Sequence, residues 1–194
     1  MRTADFLDAL FETLPTDTIV VTALGRTGEE VYRRRPAQSL LTDTMGDVAA
    51  LSLGIALAAP ELTVVGLDTD GSFLMNLSVL PVLGSVMPAL ANYALAVLDN
   101  GIYESGGGLP SRTCALDWPS LFAGVGIQAR LVVSSDPPLE GVVGAGAVLI
   151  ATITNDDPPA PATKHLDGVE SSYLVERAVS AARGRPLRNP ARKS

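Results

Sequence analysis

Residues 62–76 read Leu-Thr-Val-Val-Gly-Leu-Asp-Thr-Asp-Gly-Ser-Phe-Leu-Met-Asn, and residues 93–103 read Tyr-Ala-Leu-Ala-Val-Leu-Asp-Asn-Gly-Ile-Tyr. Each opens with a short apolar run and breaks off in acid, amide and glycine. Such runs, closed by Asp-Gly or Asn-Gly, read as buried strands that stop in turns. Residues 73–86 between them are mostly apolar and long enough for a crossover. Strand, crossover and strand make a parallel pair.

The alternation continues in both directions. Phe6, Leu7, Leu10, Phe11 and Leu14 recur at helical spacing, and Pro15 ends that helix. Residues 18–23 read as a strand and 28–35 as a helix stopped by Pro36, with Arg33, Arg34 and Arg35 as its solvated end. Residues 46–59 form a helix of small, almost uncharged residues, expected to be buried on most sides. A short helix is expected over 118–123 with Asp117 as N-cap. Strands are expected over 128–133 and 148–154, and a last helix over 170–182. This pattern predicts an α/β protein: three layers, α/β/α, around a mainly parallel central sheet. No repeat or linker divides the chain, so residues 1–182 read as one domain. Residues 183–194 follow as a basic tail, read as a solvated, disordered end.

Composition narrows the function. The chain has 194 residues, 47% hydrophobic and 18% charged, which is ample for a core and excludes disordered and disulfide-scaffold classes. The one cysteine, Cys114, reads as an ordinary thiol. The one histidine, His165, lies in a Pro- and Ala-rich stretch read as an exposed loop, and a Cys/His zinc site is excluded. The net charge is −7, and the tail holds five basic residues and no acid, so the body is more acidic still and poorly suited to nucleic acid. Residues 79–98 carry no charge, but Pro81, Gly84, Pro88 and Asn92 interrupt them. They read as a helix end, a turn and a strand rather than a membrane span. The opening Met1-Arg2-Thr3-Ala4-Asp5 leads into an amphipathic segment rather than a leader, and a cytoplasmic location is expected.

In an open α/β sheet, ligands sit outside the carboxyl ends of the strands. Two strand ends here present Asp68-Thr69-Asp70-Gly71-Ser72 and Asp99-Asn100-Gly101-Ile102-Tyr103. An acid, an amide oxygen and a backbone carbonyl make half of a Mg²⁺ shell, which a diphosphate could complete. Either stretch alone is an ordinary turn signal. As a pair, with Asp70 and Asn100 separated by 30 positions, they resemble the thiamine diphosphate motif, which begins Gly-Asp-Gly and closes with Asn-Asn.

The resemblance extends over residues 5–180 and is closest to the diphosphate-binding half of sulfopyruvate and phosphonopyruvate decarboxylases. Residues 19–25 with Glu30-Val31-Tyr32 are similar to that family's opening. Thr44-Met45-Gly46 matches its Ser-Met-Gly loop, and Tyr103-Glu104-Ser105-Gly106-Gly107 its Tyr-x-Ser-Thr-Gly-Gly region. The resemblance implies the thiamin diphosphate-binding fold, with thiamine diphosphate and Mg²⁺ as cofactors. It implies that Asp70 and Asn100 bind the metal through side-chain oxygens and Ile102 through its carbonyl. Gly71 and Ser72 would hold the diphosphate, with Tyr103 beside it. Asp43, Thr44 and Met45 would grip the aminopyrimidine, Met45 wedging between the two rings to keep the cofactor bent.

Four positions depart from the family. Thr69 replaces the first glycine of Gly-Asp-Gly, and Asp99 the first asparagine of Asn-Asn. Gly106-Gly107-Gly108 stands where the family has Thr-Gly-Gly-Gln. Asp47 stands where related decarboxylases carry histidine, and a carboxylate near the reacting centre would repel a sulfonate or phosphonate. The glutamate that activates the aminopyrimidine belongs to a separate pyrimidine-binding domain. The resemblance therefore implies a beta-type subunit of a split 2-oxo acid decarboxylase, completed by an α-type pyrimidine-domain subunit in an α2β2 or larger assembly. Two alternatives stand beside it: a carboligase subunit, in which an aldehyde captures the decarboxylated intermediate, and a non-catalytic scaffold. Glu104 reads as loop-stabilising or solvated rather than proton-transferring, and Trp118 as an anchor for its helix. Asp68 reads equally as facing the metal loop or as a cap or ion-pair residue.

Overall fold

The computed structural model describes residues 1–133, 141–143, 146–156 and 168–187. The element order is α1 (Thr3–Thr13), β1 (Ile19–Ala23), α2 (Arg26–Arg34), β2 (Ser39–Thr42), α3 (Val48–Ala58), β3 (Val64–Thr69) and α4 (Asp70–Leu74). It continues with α5 (Leu80–Val86), β4 (Tyr93–Asp99), β5 (Ile102–Tyr103), β6 (Leu109–Pro110), α6 (Trp118–Ala123), β7 (Ala129–Val132), β8 (Ala147–Thr152) and α7 (Gly168–Ala182). Among the described residues, one sheet runs in the order β2-β1-β3-β4-β8-β7 with every pair parallel. The three-layer α/β/α architecture follows from the alternation of strand and helix.

Alternate residues of each strand feed opposite cores. Ile19, Val21, Tyr93, Leu95, Val97, Val148 and Ile150 face one side, with α3, α5, α6 and α7. Val20, Val65, Leu67, Ala94, Ala96, Leu98 and Leu149 face the other, against α1 and α2. Both faces of these strands are covered, which is why they read as continuous apolar runs rather than alternating ones.

Helix α3 approaches β3 closely at Gly66. A Cβ there would lie 2.4 Å from Ser52 Oγ. That hydroxyl lies 2.9 Å from Tyr93 Oη and 2.6 Å from the Val48 carbonyl, so a small polar cluster sits inside an otherwise apolar face. It fixes α3 against β3, the strand that leads into Asp70.

Several expectations are corrected. Strand β2 was not expected; it pairs along β1, and Ser171 of α7 secures it by accepting from Leu41 N–H and donating to the Ser39 carbonyl. Residues 73–86 do not form one segment; they break into the end of α4, a 3₁₀ turn over Leu77–Val79 and α5. Helix α3 is not buried on most sides: Val48, Ala49, Ser52, Leu53 and Ala56 face the core, whereas Leu51 and Leu57 are exposed. The arginine run is not a solvated end. Arg34 pairs with Asp8 and Glu30, and Arg35 donates to the carbonyls of Phe11, Leu14 and Pro15 while lying 4.9 Å from the Phe11 ring centroid. Those contacts hold α1 on α2. The first residues of the tail are ordered, with Arg183 paired to Glu61 at 3.3 Å and Arg185 N–H donating to the Ser180 carbonyl. His165 and residues 188–194 lie outside the described residues. No described helix is long and apolar enough to cross a membrane.

Candidate functional site

Strands β1 and β3 are neighbours, and the crossovers that leave them, to β2 and to β4, run in opposite directions and open a crevice between their carboxyl ends. A cleft occupies that place. Its walls are the ends of β1 (Leu24, Gly25, Arg26, Thr27), β3 (Thr69, Gly71, Ser72), β4 (Leu98, Asn100, Ile102, Tyr103, Glu104) and β8 (Ile153, Thr154, Asn155), with Met45 at one side. Of the expected site residues, Met45, Gly71, Ser72, Asn100, Ile102 and Tyr103 line it. Asp70, Asp43 and Thr44 do not: Asp70 is buried, whereas Asp43 and Thr44 are exposed and the Thr42 hydroxyl accepts from Thr44 N–H. Asp47 also lies outside the lining and is exposed at the start of α3. Its replacement of histidine therefore puts no acid on the cleft wall.

Asp70 is 1% exposed and sits at the start of α4. Its Oδ2 accepts from Ser111 Oγ at 2.6 Å and lies 3.2 Å from Thr113 Oγ1. Its Oδ1 is buried and has no hydrogen-bond partner among the described residues. Burial drives the Asp70 carboxyl above its ordinary value, hydrogen bonds from Ser111 and the Gly71 N–H oppose this, and the nearby Asp99 charge adds to it. Asp68 is fully buried; burial pushes its carboxyl up to about 6, against hydrogen bonds from Ser72 and the Thr69 N–H. Among the described residues it makes no ion pair.

Asn100 Oδ1 accepts from Ile102 N–H at 3.2 Å, a turn that fixes the amide oxygen and the following backbone together. Asn155 Nδ2 donates to the Asn100 carbonyl at 3.0 Å. Gly71 faces Tyr103: a Cβ there would lie 2.4 Å from Tyr103 Cε1, so the ring packs where only glycine fits. The Met45 loop is stapled to α4, with Gly46 N–H donating to Ser72 Oγ at 2.9 Å and Asn76 Nδ2 donating to the Gly46 carbonyl at 3.2 Å. Gly46 has φ +90°, a conformation that favours glycine. Ser72 thus holds the Met45 loop as well as lining the cleft.

The departures now have physical reasons. Thr69 has φ −106° and ψ 158°, ordinary extended backbone that needs no glycine. Asp99 is matched by donors that suit a carboxylate: Thr113 Oγ1 at 2.6 Å, Gly101 N–H at 3.1 Å and Trp118 Nε1 at 2.7 Å. Trp118 anchors α6 as expected, stacking on Phe122 and tilting against Phe73, and it also reaches the site. Glu104 pairs with Arg26 at 3.0 Å across the cleft, the loop-stabilising role expected of it. The β1–α2 turn was missed as part of the site. Its signal was available: Gly25 follows a buried strand, and the strand-end rule applies there as elsewhere. Ser111 and Thr113 carried no comparable signal.

No cluster of three or more His, Cys, Asp or Glu side chains that could hold a metal occurs among the described residues. The donors gathered here are instead one carboxylate, one amide oxygen and one backbone carbonyl. Such a set suits a hard cation that takes its remaining ligands from phosphate and water. The unpartnered Asp70 Oδ1 and the cradle at Gly71 fit a metal–diphosphate group.

Residues 22–116 match the family model of the thiamine pyrophosphate enzyme, C-terminal TPP binding domain. Over these residues the chain is similar to the thiamine diphosphate-binding domain of that family. Phosphonopyruvate decarboxylase from Streptomyces viridochromogenes is 35% identical over 75% of this chain and 36% of its own length. Sulfopyruvate decarboxylase subunit beta from Methanocaldococcus jannaschii is 32% identical over 56% of this chain and 57% of its own. The protein of that same name from Methanothermobacter thermautotrophicus is 26% identical over 87% of this chain and 89% of its own. The chain thus spans about a third of the phosphonopyruvate decarboxylase and nearly nine-tenths of the second beta subunit. A solved structure from Mycobacterium smegmatis, described as a thiamin diphosphate-dependent enzyme, superposes with a TM-score of 0.65 at 25% identity, over 81% of this chain and 32% of that one. Thiamine diphosphate is the cofactor of this domain, and the fold is that of its relatives.

Proposed function

We propose that this chain is the diphosphate- and Mg²⁺-binding, beta-type subunit of a split thiamine diphosphate-dependent 2-oxo acid decarboxylase, acting on sulfopyruvate- or phosphonopyruvate-like substrates. The observation that carries the reading is the buried Asp70 carboxylate, with one oxygen unpartnered among the described residues, directly before Gly71 and Ser72, which line the cleft together with Asn100 and Ile102. The names of the related beta subunits support the division between two polypeptides.

When bound, thiamine diphosphate supplies the electron sink that takes up the electron pair released as a 2-oxo acid loses CO₂. The chain's own residues orient and hold. Asp70 Oδ1, Asn100 Oδ1 and the Ile102 carbonyl hold Mg²⁺. Gly71 admits the Tyr103 ring, so that both line the wall where the diphosphate would lie, and Ser72 joins that wall to the Met45 loop. Met45, 39% exposed at the side of the cleft, would pack against the bound cofactor. The glutamate that exchanges the aminopyrimidine proton comes from an α-type pyrimidine-domain subunit, in an α2β2 or larger assembly. Asp47 lies off the cleft wall, so a second anionic group on the substrate meets no acid at that position.

The test is CO₂ release from sulfopyruvate, phosphonopyruvate and pyruvate by the chain alone and after coexpression with a pyrimidine-domain subunit. Release with one of the first two substrates, only in the complex, is the expected result. A complex that binds the cofactor but turns over none of the three overturns the assigned substrate class.

A further inference from the structure

The carboxylates at the two strand ends are held by side chains outside both motifs. The segment that does this is tied to the second motif where Ser111 N–H donates to the Gly101 carbonyl at 2.9 Å. Arg112 is the one non-glycine residue with positive φ among the described residues, at +68°. A left-handed conformation is strained for a side-chain-bearing residue. Here it folds the flanking residues together, so that Ser111 Oγ and Thr113 Oγ1 lie 3.0 Å apart and both reach Asp70 Oδ2.

A hydroxyl carries one proton. Ser111 lies 2.6 Å from Asp70 Oδ2, whereas Thr113 lies 2.6 Å from Asp99 Oδ1 and 3.2 Å from Asp70 Oδ2. The arrangement therefore assigns the Ser111 proton to Asp70 and the Thr113 proton to Asp99. Trp118 Nε1 takes the other Asp99 oxygen at 2.7 Å. Both Asp99 oxygens are thus engaged, and Asp70 Oδ2 with them. Of the four carboxylate oxygens, Asp70 Oδ1 alone is left without a partner among the described residues.

We infer that Ser111 and Thr113 are positioning residues for the metal: they present Asp70 Oδ1 to it and keep the Asp99 carboxylate off it. The inference rests on the proposal that Asp70 holds Mg²⁺. Partners that orient a ligating carboxylate commonly change metal affinity 10- to 100-fold when removed.

The test titrates Mg²⁺ into the full chain at fixed thiamine diphosphate, alone and with the coexpressed pyrimidine-domain subunit. Binding is read by calorimetry and, on the chain alone, by emission of Trp118, its single tryptophan. Thr113→Val and Ser111→Ala are each expected to raise the Mg²⁺ Kd at least about tenfold. Melting temperatures without Mg²⁺ are expected to fall by no more than about 12 °C, as for the loss of one hydrogen bond to a carboxylate, so that both variants stay folded. Thr113→Ser is expected to return the Kd to within about threefold, because it restores the hydroxyl, a recovery that a purely structural role would not produce. Wild-type Mg²⁺ binding that survives both Thr113→Val and Ser111→Ala overturns this inference and leaves the metal site standing. Absence of Mg²⁺-dependent binding in wild type, with and without the second subunit, overturns the metal reading and this inference together.

Discussion

The contact between Gly66 and Ser52 lends itself to a double-mutant cycle whose sign is fixed by the structure. Gly66→Ala places a methyl group 2.4 Å from Ser52 Oγ, inside a face where α3 cannot move without disturbing β3. Overpacking of this kind costs about 1–3 kcal/mol, and the short distance puts it near the upper end. It also displaces the hydroxyl that sits 2.9 Å from Tyr93 Oη. Ser52→Ala alone leaves the buried Tyr93 hydroxyl with only the Ala49 carbonyl at 3.4 Å, a loss of about 1–2 kcal/mol. If the two changes were independent, the double variant would lose about 4–5 kcal/mol. They share one atom. With Oγ absent, the new methyl group meets Ser52 Cβ at 3.2 Å and Leu95 Cδ1 at 3.1 Å, tight but bearable distances. The double variant should lose only about 2–3 kcal/mol, a coupling of about 2 kcal/mol in its favour. Urea unfolding of the purified chain, followed by far-ultraviolet circular dichroism, measures all four corners. Losses that add to within about 0.5 kcal/mol would show that α3 does not rest on β3 through this contact, and that the Met45 loop takes its position from elsewhere.

Three further outcomes are expected. Gly71→Ala drives a methyl group against the Tyr103 ring, and thiamine diphosphate affinity should fall by about tenfold or more with little change in unfolding midpoint; equal affinity would remove the cradle. Trp118→Phe keeps the stack on Phe73 and Phe122 but strips a donor from Asp99, costing about 1.5–3 kcal/mol; Asp99→Asn in that background should recover part of the loss, and no recovery would mean the indole N–H is not what offsets this carboxylate. Burial pushes the Glu30 carboxyl up, but hydrogen bonds from Arg33 and Arg34 outweigh it, so the group sits below the ordinary 4.5. Its contribution is therefore present above that value and is lost as pH falls through the lower folded one. Urea midpoints measured between pH 7 and pH 3 should show Glu30→Gln about 1 kcal/mol less stable at neutral pH, converging on wild type in acid; a constant offset would contradict the linkage.

The fold was legible where strands are covered on both faces, because continuous apolar runs such as Tyr93–Leu98 have few other readings. Strand β2 was not, since Ser39–Thr42 has neither length nor β-branched density, and its bonds to Ser171 come from 130 or more positions away. The arginine run misled for a related reason. A charge run is solvated unless tertiary partners exist, and here Asp8 and the carbonyls at the end of α1 supply them. At the site, Asp70 and Asn100 were readable because the chemistry sits at strand ends. Ser111 and Thr113 were not, because a hydroxyl has no distinctive local pattern and their partner Asp70 lies more than 40 positions away. Only the folded chain shows that Thr69 needs no glycine, or that Asp99 replaces asparagine where an indole N–H can answer the charge.

The deciding experiment is a calorimetric titration of thiamine diphosphate, with and without Mg²⁺, into wild type and Asp70→Ala, each in complex with a pyrimidine-domain subunit. Mg²⁺-dependent binding in wild type that is lost in Asp70→Ala is the predicted result. Equal affinity in both proteins, or wild-type binding indifferent to Mg²⁺, would contradict the assignment of this cleft as a metal–diphosphate site.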